Sequence, residues 1–293
     1  MKTEFYETDG AVVLQSPPHF TLSALFECGQ CFRFYPLNKE KTKYGGIAHG
    51  QYIELERRGR DVWLYNLSMS DFRSVFYDYF DLAFDYDACI ASFPKDEYLT
   101  RAVRFGDGIR ILHQEPFEAL CSFILSQNNN IPRIRSLIES LCRAYGSPID
   151  CGGKIGYSFP CAKRLAQVKE ADLRALKVGF RAAYLTDAAQ KVADGTVSFS
   201  RIESLSTEDG IRELCKIKGV GLKVASCVLL FAFRQYDSFP IDVWMKRILS
   251  AHYPPDTDKA YFGQYAGIAQ QYLFHYERNI DKSPVSAERN PEL

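Results

Sequence analysis

The sequence contains no apolar run long enough to cross a bilayer. The longest, VASCVLLFAF at 224–233, is broken by Ser226 and is well short of the ~20 residues a spanning helix needs. The first ten residues, MKTEFYETDG, are polar and have no apolar segment of the secretory kind, so a cytoplasmic protein with no membrane partner is the expectation. Net charge is also missing. The 36 Lys and Arg balance 36 Asp and Glu, which argues neither for nor against a polyanionic partner. That balance hides an asymmetry: residues 1–100 carry 10 basic and 15 acidic side chains, and residues 101–293 carry 26 and 21. The second part therefore permits a polyanion site. A disulfide framework is lacking as well, because nine cysteines, an odd number scattered along the chain, read as reduced thiols. Cys28 and Cys31 form a C-x-x-C, a spacing used for redox chemistry or zinc. A redox pair sits after a strand and at a helix start, whereas CFRFYPL continues here as strand-like alternation. A zinc knuckle needs a second pair, and Cys151 and Cys161 are wrongly spaced for one. No metal is expected.

What is present has the composition of a soluble globular chain, 46% hydrophobic and 25% charged over 293 residues, enough for two domains. Before residue 98 the pattern is mainly β. CFRFYPL, GGIAHG and QYIELERRGRDVWLYNL alternate apolar and polar residues, with RRGR as a hairpin turn, and predict an antiparallel meander with one buried face. SMSDFRSVFYDYF then starts a helix that Ser or Asp can cap. From about residue 96 onward the spacing is helical, as in EPFEALCSFILSQ, with Pro116 in the first turn, and IPRIRSLIESLCRAYG. The expectation is an α+β chain: an N-terminal antiparallel β domain over 1–98, then an all-helical domain over 99–293 ending in a loose polar tail, KSPVSAERNPEL.

Within the helical part, IRELCKIKGVGLKVASCVLL reads as helix, glycine turn and helix. Gly219 and Gly221 let backbone N–H groups converge on an anion at the second helix's N-terminus, the way a helix-hairpin-helix grips a DNA phosphate without reading sequence. Lys223 stands two residues past the turn, where the helix dipole disfavours a cation. It is either a solvated surface lysine or an amine whose charge is meant to be lost. An ordinary lysine, with a pKa of about 10.4, is almost never neutral at pH 7; a helix N-terminus and a partly desolvated pocket both raise the neutral, nucleophilic fraction. Nineteen residues on, Asp242 in SFPIDVWMKRIL reads as the N-cap of the next helix, a position that also holds a carboxylate rigidly.

KGVGLKVASC followed by FPIDVWM resembles the 8-oxoguanine DNA glycosylase/AP lyases of the helix-hairpin-helix superfamily. GQCFRF (29–34), SFILSQNNNIPRI (122–134), VGFRAAY (178–184) and YAGIAQQYLF (265–274) match as well, in the family's order and over most of the chain. The resemblance implies that Lys223 attacks C1′ of the damaged nucleotide and that Asp242 stabilises positive charge on the sugar. The resulting Schiff base leads to β-elimination. It implies a base pocket made of Gly29, Cys227, Gln270 and Phe274. Asn128 would fill the space left by the flipped base, Arg133 and Arg181 would bond the orphaned cytosine, and Phe180 would wedge beside it. Without the resemblance, Cys227 is a buried thiol, Phe274 a core aromatic, and the arginines phosphate contacts or solvated side chains. The implied partner is double-stranded DNA containing oxidised guanine, with the protein acting as a monomer and without a cofactor.

Two positions depart from the family's usual pattern. Phe180 stands where tyrosine is frequent, which keeps a ring for wedging, and Trp244 stands where histidine contacts a phosphate. The iron–sulphur relatives carry four cysteines after the hairpin, whereas the last cysteine here is Cys227. An alkylated-base glycosylase needs the aspartate without the lysine. A non-catalytic DNA-binding module would use the hairpin alone and gives no reason for Lys223 together with Asp242.

Overall fold

Residues 3–280 are described by the computed structural model, so the expected loose tail at 282–293 lies outside the described residues. Strands β1 (Glu4–Thr8), β2 (Ala11–Gln15), β3 (Phe34–Pro36), β4 (Lys43–Ala48), β5 (Gln51–Arg58) and β6 (Asp61–Tyr65) form one antiparallel sheet in the order β1-β2-β6-β5-β4-β3. The period-2 pattern does what it should. Ile53 and Leu55 of β5 and Val62 and Leu64 of β6 turn inward, and Leu55 stands opposite Leu64 in the register. The covering layer is aromatic, with Phe20, Phe26, Phe34, Phe72, Phe76 and Phe80 all closed to solvent. Several come from the segment after β6, whose first helical turn is capped by Ser68 accepting from the Asp71 amide.

The sheet is larger than the meander read from the sequence, because the β1–β2 hairpin docks on β6. A short helix, α1 (Leu22–Glu27), precedes Cys28, and β3 begins only at Phe34, so the start of CFRFYPL is a loop rather than a strand. The two cysteines in that loop are buried. Burial pushes the Cys28 thiol up to about 11 and raises the Cys31 thiol as well, so neither is an activated thiolate.

The rest is helical: α2 (Glu97–Phe105), α3 (Pro116–Ser126), α4 (Ile131–Tyr145), α5 (Arg181–Ala193), α6 (Thr207–Leu214), α7 (Leu222–Phe233), α8 (Val243–His252) and α9 (Ala266–Asn279), with shorter turns between. A small hairpin, β7 (Pro148–Asp150) with β8 (Ile155–Tyr157), follows α4. The helices share one apolar core, in which Leu120, Ile124, Leu185, Val228, Leu229, Ile248 and Leu273 are closed to solvent. Helix α7 sits at its centre, and eight consecutive residues, Val224–Phe231, are buried. None of the described helices is long and apolar enough to cross a membrane.

Candidate active site

Helix α7 can be so apolar only if its polar N-terminus reaches the surface, and the glycine turn brings it there. Gly219 has φ +77°, and a Cβ at that position would come within 2.3 Å of the Tyr184 ring. Gly221 is the N-cap, has open space where a side chain would stand, and lends no side chain to the helix. The first N–H groups of a twelve-residue helix are thus left facing outward, the arrangement that receives an anion. Lys223, half-buried, extends its Nζ to 5.3 Å from the centre of the Phe123 ring. One turn further, Cys227 is buried; burial raises its thiol pKa, and the nearby Lys223 charge offsets part of that rise.

Asp242 caps α8. Its Oδ1 accepts from the Trp244 and Met245 amides, both at 2.9 Å, while Oδ2 takes no hydrogen bond from any described residue. The expected cap is therefore present, and it leaves one carboxylate oxygen free. Helix α9 supplies a facing wall with Gln270, Gln271 and Phe274. The loop after α1 adds Gly29, whose φ is +89°; a Cβ there would meet Phe274 Cε1 at 3.2 Å and an Arg278 guanidinium nitrogen at 3.3 Å. These groups, with Phe123, Phe231 and Pro240, line one cleft. Gln270 is 4% exposed, and its Oε1 is buried with no partner, an orphan acceptor in a pocket wall. The six residues expected to form the pocket and its chemistry, Gly29, Lys223, Cys227, Asp242, Gln270 and Phe274, all line it. Among the described residues, no group of three or more His, Cys, Asp or Glu is placed to hold a metal ion.

Lys223 and Asp242 also line a second, wider groove, so the cleft and the groove meet at these two side chains. The groove is bordered by Asn128, Phe180, Gly221 and Trp244. Asn128 is exposed and sits in the left-handed region, with φ +47°, between α3 and α4. Phe180 is 45% exposed and packs edge-on against Tyr184. The two arginines stand apart from the groove lining. Arg181 is buried, and its guanidinium donates to the Gln127, Asn128 and Val178 carbonyls, so it holds the asparagine loop from behind. Arg133 is exposed and donates to the Lys177 carbonyl at 3.2 Å. Sequence reasoning missed Phe123, which reads as core, and Gln271, which reads as one more polar residue on a helix. It also missed the apolar rim of the groove, Leu222, Ile241 and Val243, of which Leu222 is 72% exposed. The visible signal for that rim was an apolar residue directly beside Lys223 and on either side of Asp242.

Residues 12–120 match the 8-oxoguanine DNA glycosylase N-terminal domain family, and residues 121–262 match the HhH-GPD superfamily of base excision DNA repair proteins. The structure of MBOgg1 in complex with a low-affinity DNA ligand superposes with a TM-score of 0.91 at 39% identity, covering 96% of this chain and all of that one. The 8-oxoguanine glycosylase/lyase of Clostridium acetobutylicum, in complex with double-stranded DNA containing cytosine opposite 8-oxoguanine, gives 0.90 at 37% identity with the same coverage. The N-glycosylase/DNA lyase OGG1 of Arabidopsis thaliana is 28% identical across 92% of this chain and 81% of its own length. With both regions of the fold matched and the solved relatives covered end to end, the chain belongs to the 8-oxoguanine DNA glycosylase/lyases of the helix-hairpin-helix superfamily.

Proposed function

We propose that this protein binds duplex DNA, extrudes 8-oxoguanine lying opposite cytosine, and excises it through a covalent imine on Lys223. The observation that carries the reading is the single cleft where Lys223 and Asp242 meet the unpartnered Gln270 amide, with Gly29 and Phe274 beside them. The groove alongside supports a duplex partner, since an open helix N-terminus at Gly221 suits a phosphate and exposed Asn128 and Phe180 lie across from it. Flipping the base costs a few kcal/mol of stacking and pairing. Asn128 and Phe180 offset this by filling the vacated space, and Arg133 reads the orphaned cytosine, with Arg181 supporting the loop between them.

The chemistry then runs in balanced steps. The neutral Lys223 amine forms a bond to C1′ as the C1′–N9 bond breaks, and the base leaves with the electron pair and gains a proton. Asp242, anchored by Oδ1, presents Oδ2 to the positive charge that develops on the sugar. Ring opening, with C1′–O4′ cleaved, gives the protonated imine. Loss of a C2′ proton then expels the 3′ phosphate by β-elimination, and water hydrolyses the imine to free the lysine. In the pocket, the Gln270 amide faces the Watson–Crick edge. The Gly29 carbonyl accepts from N7–H of the lesion, where guanine has a repelling lone pair.

The test is incubation with a duplex holding 8-oxoguanine opposite cytosine in the presence of borohydride. A trapped protein–DNA adduct is expected, together with a nicked strand when borohydride is omitted. A base released with neither adduct nor nick would overturn the lysine mechanism, and no release at all would overturn the substrate. Replacing the opposite cytosine with each other base checks that part of the reading separately.

A further inference from the structure

The proposed discrimination at N7 asks a difficult thing of Gly29. Rejecting guanine there is a lone-pair repulsion, and a carbonyl that can turn away relieves it. Glycine is the residue whose peptide planes turn most easily. The loop answers this from both sides. The carbonyl before Gly29, that of Cys28, accepts from Gln271 Nε2 at 2.8 Å, and the carbonyl after it, that of Gln30, accepts from Gln114 Nε2 at 2.7 Å. The carbonyl of Gly29 itself takes no hydrogen bond from any described residue. The Gln30 side chain is closed to solvent; it donates to the Leu25 and Arg110 carbonyls at 3.0 and 2.8 Å and accepts from the Leu112 amide at 2.8 Å. Peptide units are rigid, so pinning the oxygens on either side leaves the Gly29 carbonyl little freedom to rotate.

Gln271 is 2% exposed and follows Gln270 directly on α9, 243 residues along the chain from the carbonyl it holds. One helix therefore carries both the amide that faces the pocket and the amide that fixes the opposing loop. We propose that Gln271, with Gln114 as its counterpart, is a specificity-positioning residue. It keeps the Gly29 carbonyl aimed at N7, so that the lesion is accepted and guanine is repelled. This rests on the function proposed above.

The experiment compares the unmutated protein with Gln271→Met and Gln114→Met, which keep side-chain length and lose the donor. Single-turnover excision of 8-oxoguanine opposite cytosine is measured beside nicking of a preformed abasic site. The binding preference for 8-oxoguanine over guanine duplexes is measured with each change placed on Lys223→Gln, which cannot react. For each variant the ratio of excision to abasic-site nicking should fall about tenfold, the scale of leaving one buried carbonyl unpaired, and the binding preference should narrow. Equal slowing on both substrates, or an unchanged preference for the lesion, overturns the clamp. Two variants guard against one failing to fold. Because Gln271 also lines the cleft and Gln114 does not, selective loss that includes Gln114→Met supports the clamp, and selective loss confined to Gln271→Met marks a direct pocket contact and overturns it. An unmutated protein that leaves 8-oxoguanine in place overturns the function and the clamp with it; one that excises normally while both variants match it overturns the clamp alone.

Discussion

Lys223 lies in no ion pair among the described residues; its Nζ stands 5.3 Å from the centre of the Phe123 ring and beside the Cys227 thiol. A long cation held at the mouth of an apolar helix without a carboxylate partner suits reaction rather than structure. Lys223→Gln keeps reach and polarity and removes the nucleophile, so borohydride trapping and nicking should both disappear while lesion binding in a gel-shift assay persists. Asp242→Asn isolates a different property. Asparagine caps as well as aspartate, so Oδ1 should still accept the two amides and the helix should survive, whereas the charge offered to the sugar is gone. Single-turnover base release should slow by roughly 10²-fold with little change in the melting temperature; normal release would reduce Asp242 to a cap. Gly29→Ala meets two obstacles at once, a φ of +89° that L-residues rarely adopt and contacts of 3.2 and 3.3 Å to Phe274 and Arg278. Excision of 8-oxoguanine should fall much further than nicking at a preformed abasic site, and parallel loss on both substrates would remove Gly29 from lesion reading.

At the scale of elements, the loop between α3 and α4 separates the two arginines that the sequence treats alike. Arg181 is fastened to the loop backbone, so Arg181→Ala should weaken excision opposite all four bases together and lower thermal stability. Arg133 is exposed with one backbone bond, so Arg133→Ala should chiefly lower the preference for cytosine, by about 1–3 kcal/mol of discrimination. Excision rates against the four opposite bases tell the two outcomes apart. Elements with a clean local signal were legible: β5 and β6 from their alternation, α3 from Pro116, α4 from its helical spacing, α7 from its glycine turn. The β1–β2 hairpin was not. AVVLQ buries four successive residues and so shows no alternation, although Asp9 and Gly10, at φ +48° and +72°, form the kind of two-residue turn that Asp-Gly favours. Helix α1 is too short, at six residues, for a helical period to register. In the site, the cap at Asp242 and the turn before Lys223 could be read from local chemistry. Gly29, Gln270 and Phe274 lie far from them in sequence, so only the ordered resemblance joined them. Phe123 and Gln271 had no local mark at all, because packing alone gives them a role.

The whole molecule is joined at a seam of charge. Arg33, ahead of β3, is 4% exposed and lies 3.2 Å from Glu139 Oε1 and 3.8 Å from Glu118 Oε2, so the loop leading into the sheet is held to α3 and α4. Burial, against the pull of Arg33, pushes the Glu118 carboxyl up to about 7. A carboxyl raised on folding stabilises the protein fully below its unfolded pKa, and that contribution is lost as pH rises through the folded one. The stability of the unmutated protein relative to Glu118→Gln should therefore decline from about pH 4.5 to pH 7, by roughly 1–3 kcal/mol. Urea unfolding of both proteins across that range measures it, and a flat difference would show that the Glu118 carboxyl titrates alike in the folded and unfolded chain.

The cleft has its own consequence at this scale, for it is built from Gly29 near one end of the described chain and from Gln270 and Phe274 near the other. A ribosome that has delivered the chain through α8 has made the lysine, its aspartate and the groove lining, but not the wall that carries Gln270 and Phe274. On the function proposed above, the residues assigned to attack the sugar thus precede in synthesis those assigned to choose the base, and the pocket is complete only with the last described helix.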